Sequence, residues 1–215
     1  HRTGNTGKMY RLTVLALVLA AFCGALPASA DERLENISTR GQVLTGDGVL
    51  IAGFVISGTT DKTVMIRARG PSLTDFGVPG ALIDPQISLL QVDGTPITSN
   101  DDWADEPRAS EIPPSLALTN AKDSALVVTL SPGNYTPIVS GVGGATGVAI
   151  VEVFELDTRA RLENIATRGF VGTGDNVMIG GFIVSGNKPK LVVMRARGPS
   201  LAAFGVDPVL ADSAF

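Results

Sequence analysis

Beyond residue 30 the chain is a series of short apolar runs, many with a period of two, cut by Gly, Pro, Asn and Asp. Residues 49–57 and 62–69 are rich in β-branched side chains, and the first run is entered through Gly46-Asp47-Gly48. Runs at 87–92 and 95–98 flank Asp93-Gly94, a pair that favours the positive φ of a tight hairpin. Runs at 124–130 and 135–142 flank Ser131-Pro132-Gly133-Asn134, and Gly143-Gly144-Ala145-Thr146 leads into a Val- and Ile-rich run at 147–156. No convincing 3.6-residue period interrupts this pattern, although residues 104–117 have room for a short helical turn. About eight short strands in some 128 residues predict an all-β fold, an antiparallel β-sandwich or jelly roll.

The pattern also repeats. Arg33-Leu34-Glu35-Asn36-Ile37 returns as Arg161-Leu162-Glu163-Asn164-Ile165. Arg67-Ala68-Arg69-Gly70-Pro71-Ser72-Leu73 returns as Arg195-Ala196-Arg197-Gly198-Pro199-Ser200-Leu201. At a constant offset of 128, 32 of the 55 pairs between 33–87 and 161–215 are identical, which reads as tandem duplication. The expected organisation is a complete module over 31–158 and an incomplete second one over 159–215. The joint, Phe154-Glu155-Leu156-Asp157-Thr158-Arg159-Ala160, has no Gly/Ser- or Pro-rich tether, so the copies are expected to be closely coupled.

Residues 9–30 set the compartment. A short positive start at Met9-Tyr10-Arg11, an apolar run from 12 to 26 and Ala28-Ser29-Ala30 predict a secretory signal peptide cleaved after Ala30. The expected product is secreted or cell-surface, with no membrane span left after cleavage. Without Arg2, Lys8 and Arg11, the 17 basic residues fall to 14 against 21 acidic ones. Such a negative chain without a basic cluster is a poor partner for nucleic acid. His1 and Cys23 also precede the expected cleavage point, and the sequence has no other His or Cys. Triads with His, thiol nucleophiles and His-ligated metals are therefore unavailable to residues 31–215.

The back half carries a resemblance. Ile87-Ser88-Leu89-Leu90-Gln91-Val92-Asp93-Gly94, Ile97-Thr98-Ser99-Asn100-Asp101-Asp102 and Pro132-Gly133-Asn134-Tyr135-Thr136 resemble the bacterial pre-peptidase C-terminal domain. The resemblance spans roughly 87–157 and implies a non-catalytic β-sandwich on a secreted bacterial protein, often beside a protease. The front half, with its Thr-Arg-Gly and Gly-Pro-Ser-Leu signatures, is similar to repeats of large secreted bacterial proteins.

Two groups are candidate sites. Asn100, Asp101, Asp102, Asp105 and Glu106 place five oxygen-bearing side chains in seven residues, the ligand type that calcium takes. The alternative is a solvated acidic loop whose Asn and Asp cap turns. Arg67 and Arg69 share one strand face about 7 Å apart, a fork for carboxylates or sulfated glycans, or structural partners of internal carboxylates. Trp103, the single tryptophan, is either a sugar-stacking platform or a plug at the sandwich edge. Ser72 has no His to activate it, and Gly141-Val142-Gly143-Gly144-Ala145-Thr146-Gly147 feeds a strand, which argues against a dinucleotide loop. The leading expectation is a non-enzymatic module for adhesion, spacing or surface assembly, its partners neighbouring repeats, surface glycans or other extracellular proteins. The alternative is a calcium- or glycan-binding accessory module of a secreted enzyme.

Overall fold

The computed structural model describes residues 32–215, so the expected signal peptide at 9–30 lies outside the described residues. Ten strands form two antiparallel five-stranded sheets packed face to face. In chain order they are β1 (Arg33–Val43), β2 (Leu50–Ser57), β3 (Lys62–Arg69), β4 (Pro85–Gln91), β5 (Pro96–Asn100), β6 (Ser124–Leu130), β7 (Gly133–Gly141), β8 (Gly147–Glu155), β9 (Arg161–Arg168) and β10 (Ile179–Ser185). The first sheet runs β10-β1-β8-β3-β6 and the second β5-β4-β7-β2-β9. The protein is an all-β sandwich. No helix among the described residues is long and apolar enough to cross a membrane.

The period-two pattern explains most of the strands. Along β2, Leu50, Ala52, Phe54 and Ile56 are buried while the residues between them are partly exposed. They meet Ile37, Val64, Ile66, Leu126, Val139 and Val151 in the core between the sheets. Strand β3 departs from alternation because all eight of its residues are buried. Its outward side, at Met65, packs with Ala125, Val127 and Phe154 under Ile112, Leu116 and Leu118 from the long β5–β6 connection. That connection makes three short 3-10 turns, at Trp103–Asp105, Ala109–Glu111 and Pro114–Leu116, where a short helical turn was expected.

One turn is longer than expected. Gln91 N–H closes the loop on Thr95 O (2.9 Å) and Gly94 N–H donates to Gln91 O (3.0 Å), so three residues, 92–94, lie inside the closing pair. Gly94 takes a positive φ of 86°, and Asp93 accepts a hydrogen bond from Thr95 N at 2.9 Å.

The Gly-Pro-Ser-Leu signature is a structural turn. A Cβ on Gly70 would stand 2.1 Å from the carbonyl oxygen of Leu82, so no other residue fits. Pro71 starts the 3-10 turn Pro71–Phe76, Leu73 is buried, and Ser72 Oγ accepts a hydrogen bond from Arg69 Nε at 3.0 Å. The same features recur 128 residues on: a Cβ on Gly198 would stand 2.1 Å from Leu210 O, and Arg197 Nε donates to Ser200 Oγ at 3.1 Å.

Phe54 is the largest fully buried side chain, and its ring stacks on Tyr135 at 5.6 Å between centroids. Phe54→Ala is expected to lower stability by about 3–5 kcal/mol, as large-to-small core changes do, measured by denaturant unfolding. The same change at Phe182, its counterpart at offset 128, is expected to cost far less, because Phe182 is partly exposed.

Candidate functional site at the joint of the two related segments

The sheets run across the joint at 156–160. Each takes four strands from residues 33–155 and one from residues 161–185. Strand β10 pairs with β1, and β9 pairs with β2. The two ladders match residue for residue at the offset of 128. Arg40 faces Ile179 as Arg168 faces Ile51, Ile37 faces Phe182 as Ile165 faces Phe54, and Arg33 faces Ser185 as Arg161 faces Ser57. Even the register shift recurs, at Leu34/Asn36 in one ladder and at Val55/Ile56 in the other. The two segments are thus related by a local pseudo-two-fold. Two contacts join a residue to its own counterpart: Thr39 Oγ1 to Thr167 Oγ1 at 2.7 Å, and the bridge between Gln42 and Phe170.

Side chains obey the same symmetry. Arg40 donates to Asp175 O at 3.3 Å, and Arg168 donates to Asp47 O at 3.5 Å. Lys62 Nζ donates to Ala160 O at 2.9 Å, and Lys190 Nζ donates to Glu32 O at 3.5 Å. Each lysine therefore holds the carbonyl just before the first strand of the other segment.

The Lys62 end is far more elaborate. Lys62 is fully buried, 3.2 Å from Glu155 Oε1, and donates also to Asp157 O at 2.7 Å. Arg33 Nε lies 2.9 Å from Glu155 Oε2, and its terminal nitrogens donate to the carbonyls of Thr158 and Ala160. Glu155 Oε1 accepts from Leu162 N at 2.9 Å, Asp157 Oδ2 from Thr63 N at 2.7 Å, and Thr60 Oγ1 donates to Arg159 O at 3.1 Å. Five residues with no flexible composition are thereby tied down by one buried cluster. Burial pushes the Lys62 ammonium below its usual pKa, Glu155 and Asp157 pull it back up, and Arg33 adds to the lowering. For Asp157, partial burial acts to raise the pKa. Hydrogen bonds from Arg159 and from the Thr63 and Arg159 backbone, with Lys62 nearby, outweigh it and bring the carboxyl to about 2.

A groove of about 350 Å³ lies on the outer face of the first sheet and crosses the joint. Ser38 and Arg40 of β1, Glu152 of β8 and Ile179 and Gly181 of β10 line it, so both related segments build it. Arg67 and Arg69 also line it. Arg67 is committed to structure: Nε and a terminal nitrogen grip Glu152 at 2.6 and 3.2 Å, another nitrogen donates to Leu116 O at 2.8 Å, and the guanidinium stacks 4.7 Å over Phe154. Arg69 has less: Ser72 Oγ, the face of Phe76 at 5.4 Å, and Glu152 at 4.0 Å. Burial lowers its pKa, while Glu152, Asp123 and Asp75 oppose that and Arg67 adds to it.

The side chains of the acidic loop are engaged separately. Asp102 pairs with Lys122 at 3.1 Å, Asp101 Oδ1 accepts from Asp102 N at 3.1 Å, and buried Glu106 accepts from Arg108 N at 3.3 Å. Asn100 receives Ser124 Oγ on its carbonyl at 2.8 Å, and Asp105 is exposed. Among the described residues no group of three or more His, Cys, Asp or Glu converges to hold a metal ion. Trp103 packs against the Met65 cluster and donates from Nε1 to Asn120 O at 3.1 Å, the plug at the sheet edge.

Sequence reading missed the exchange of strands and the Lys62–Glu155–Arg33 cluster. The signal was present in the identity of Arg33/Arg161, Lys62/Lys190 and Thr39/Thr167, but nothing in spacing told which segment each would touch. No family model matches the chain, and no curated protein matches it.

Glu155→Gln is expected to cost about 3–5 kcal/mol, because it leaves buried Arg33 without a carboxylate and Lys62 with Asp157 alone. Lys62→Met, which leaves Glu155 paired with Arg33, is expected to cost less in the same denaturant titration. Because the folded pKa of Asp157 lies below its unfolded value of 3.8, its contribution is full above about pH 5. It is lost as pH falls toward 2, and Asp157→Asn is expected to flatten that limb of the stability–pH curve.

Proposed function

We propose that this protein is a non-catalytic β-sandwich module of a secreted or surface protein, built to join its neighbours rigidly in a tandem array. The observation that carries the reading is the reciprocal pairing of β1 with β10 and of β2 with β9 at one constant offset. A tether would leave related segments free to reorient, whereas two shared ladders and a buried ionic cluster fix them. Spacing or assembly is the use such stiffness serves. Export through a signal peptide at 9–30 and kinship with the pre-peptidase C-terminal domain belong to the same proposal. The sequence after residue 30 supports non-catalysis, since it supplies neither His nor Cys.

A second reading, glycan binding by an accessory module, is favoured by the groove across the joint and by Arg69, which has spare donors at its wall. A sulfated or uronic-acid glycan array decides between the two. Binding that is lost in Arg40→Gln, a change outside the buried Glu152 network, would favour the accessory reading.

The joining role is tested by proline substitution in the full chain. Ile165→Pro removes a β9 donor and is expected to speed exchange of amides in β9 and β2 at least tenfold while β3 and β6 stay protected. Uniformly fast exchange of β9 and β10 in the unaltered chain would sink the proposal.

A further inference from the structure

The pseudo-two-fold allows the surroundings of residues 161–185 to be compared with those of residues 33–57. Strand β1 lies between β10 and β8, but β9, its counterpart, has only β2 beside it. Strand β2 lies between β9 and β7, but β10, its counterpart, has only β1. The open edge of β9 is therefore where β1 carries a β8-type strand, and the open edge of β10 is where β2 carries a β7-type strand.

Side-chain exposure agrees position by position. Met65 and Ile66 are fully buried, while their counterparts Val193 and Met194 are 80% and 64% exposed. Leu82 is fully buried and its counterpart Leu210 is 42% exposed. Residues 191–197 form no strand, although the equivalent Thr63–Arg69 stretch lies within β3, which is held by β6 and β8. An apolar surface of this size flanked by two open strand edges requires cover.

We infer that the open edges of β9 and β10 and the apolar face of residues 177–210 bind a β-sheet segment of the same strand pattern as residues 85–157. The occupant is fixed by continuity with the existing joint. It adds a β8-type strand to β9 and a β7-type strand to β10, and its β6-type strand orders 190–197 as a third strand. One long sheet then passes from the first-sheet position of one sandwich to the second-sheet position of the next, and the other passes the opposite way. This inference rests on the joining role proposed above and names the partner of that surface.

The experiment appends residues 88–157 directly after Phe215, which stands where Ile87 stands in the first segment, and follows amide exchange. Expected is at least a hundredfold slowing at Val193 and Met194, to the protection of Met65 and Ile66, with loss of apolar-dye binding. In the appended copy, Val151→Asp with Val153→Asp is expected to abolish that gain and leave β1 and β10 protected. An appended segment that leaves residues 191–197 exchanging as before overturns the inference, as does protection of those residues in the unextended chain on self-association. Unprotected β1·β10 and β2·β9 ladders in the unextended chain would instead overturn the joining role itself, so the two failures are distinguishable.

Discussion

Lys62 carries a full charge into a site with no access to solvent, and the arrangement of the joint follows from that constraint. A buried ammonium must be met by oxygens on every side, and here they come from Glu155, Asp157 and Ala160. Two of the connecting residues, Asp157 and Ala160, are thus committed before any strand of the second segment begins. Once Ala160 is held, the next residue enters β9 opposite Ser57, and the register of the whole β2·β9 ladder is set. Arg33 performs the same service from β1, so one carboxylate, Glu155, ties the first strand, the last strand of the first segment and the start of β9 together. Such a cluster is not a large source of net stability, since desolvation offsets most of its attraction. Its effect is selectivity: any other path of the connection leaves charge buried without a partner.

Strand exchange solves a second problem with the same residues. β1 and β2 are long, regular and apolar on one side, the kind of edge that recruits other chains. Covering them with β10 and β9 turns an aggregation hazard into a specific contact. Because the covering strands are near-copies of the strands covered, no separate interface sequence is needed.

Much of the fold was legible, and the reasons are local. β3 and β6 match their sequence-read limits, because Lys62–Arg69 and Ser124–Leu130 are dense in β-branched residues and end at turn formers. The β4–β5 loop is longer than Asp93-Gly94 alone suggests, because the hydrogen bonds that join Gln91 to Thr95 and Gly94 enclose Val92 as well. At the site, Arg67 and Arg69 were flagged by chemistry, and the structural alternative accounts for Arg67 through Glu152, 85 residues away. The acidic cluster shows the converse: proximity in sequence places Asp101, Asp102 and Glu106 around one 3-10 turn, yet each spends its oxygens on a different donor. Long-range pairing was the illegible part, since similar segments at offset 128 are equally compatible with separate modules and with exchanged strands.

The contact between Thr39 and Thr167 has a consequence for which residues that position accepts. A residue that meets its own counterpart must be complementary to itself. A hydroxyl is, because one can donate while the other accepts, and at 2.7 Å the pair makes a full hydrogen bond. Two carboxylates or two ammonium groups placed there would repel. Threonine also satisfies the β-branched preference of the strands on which it sits. The chemical alphabet at the centre of such a joint is therefore narrow, and a charged replacement of either threonine faces the neutral hydroxyl of the other.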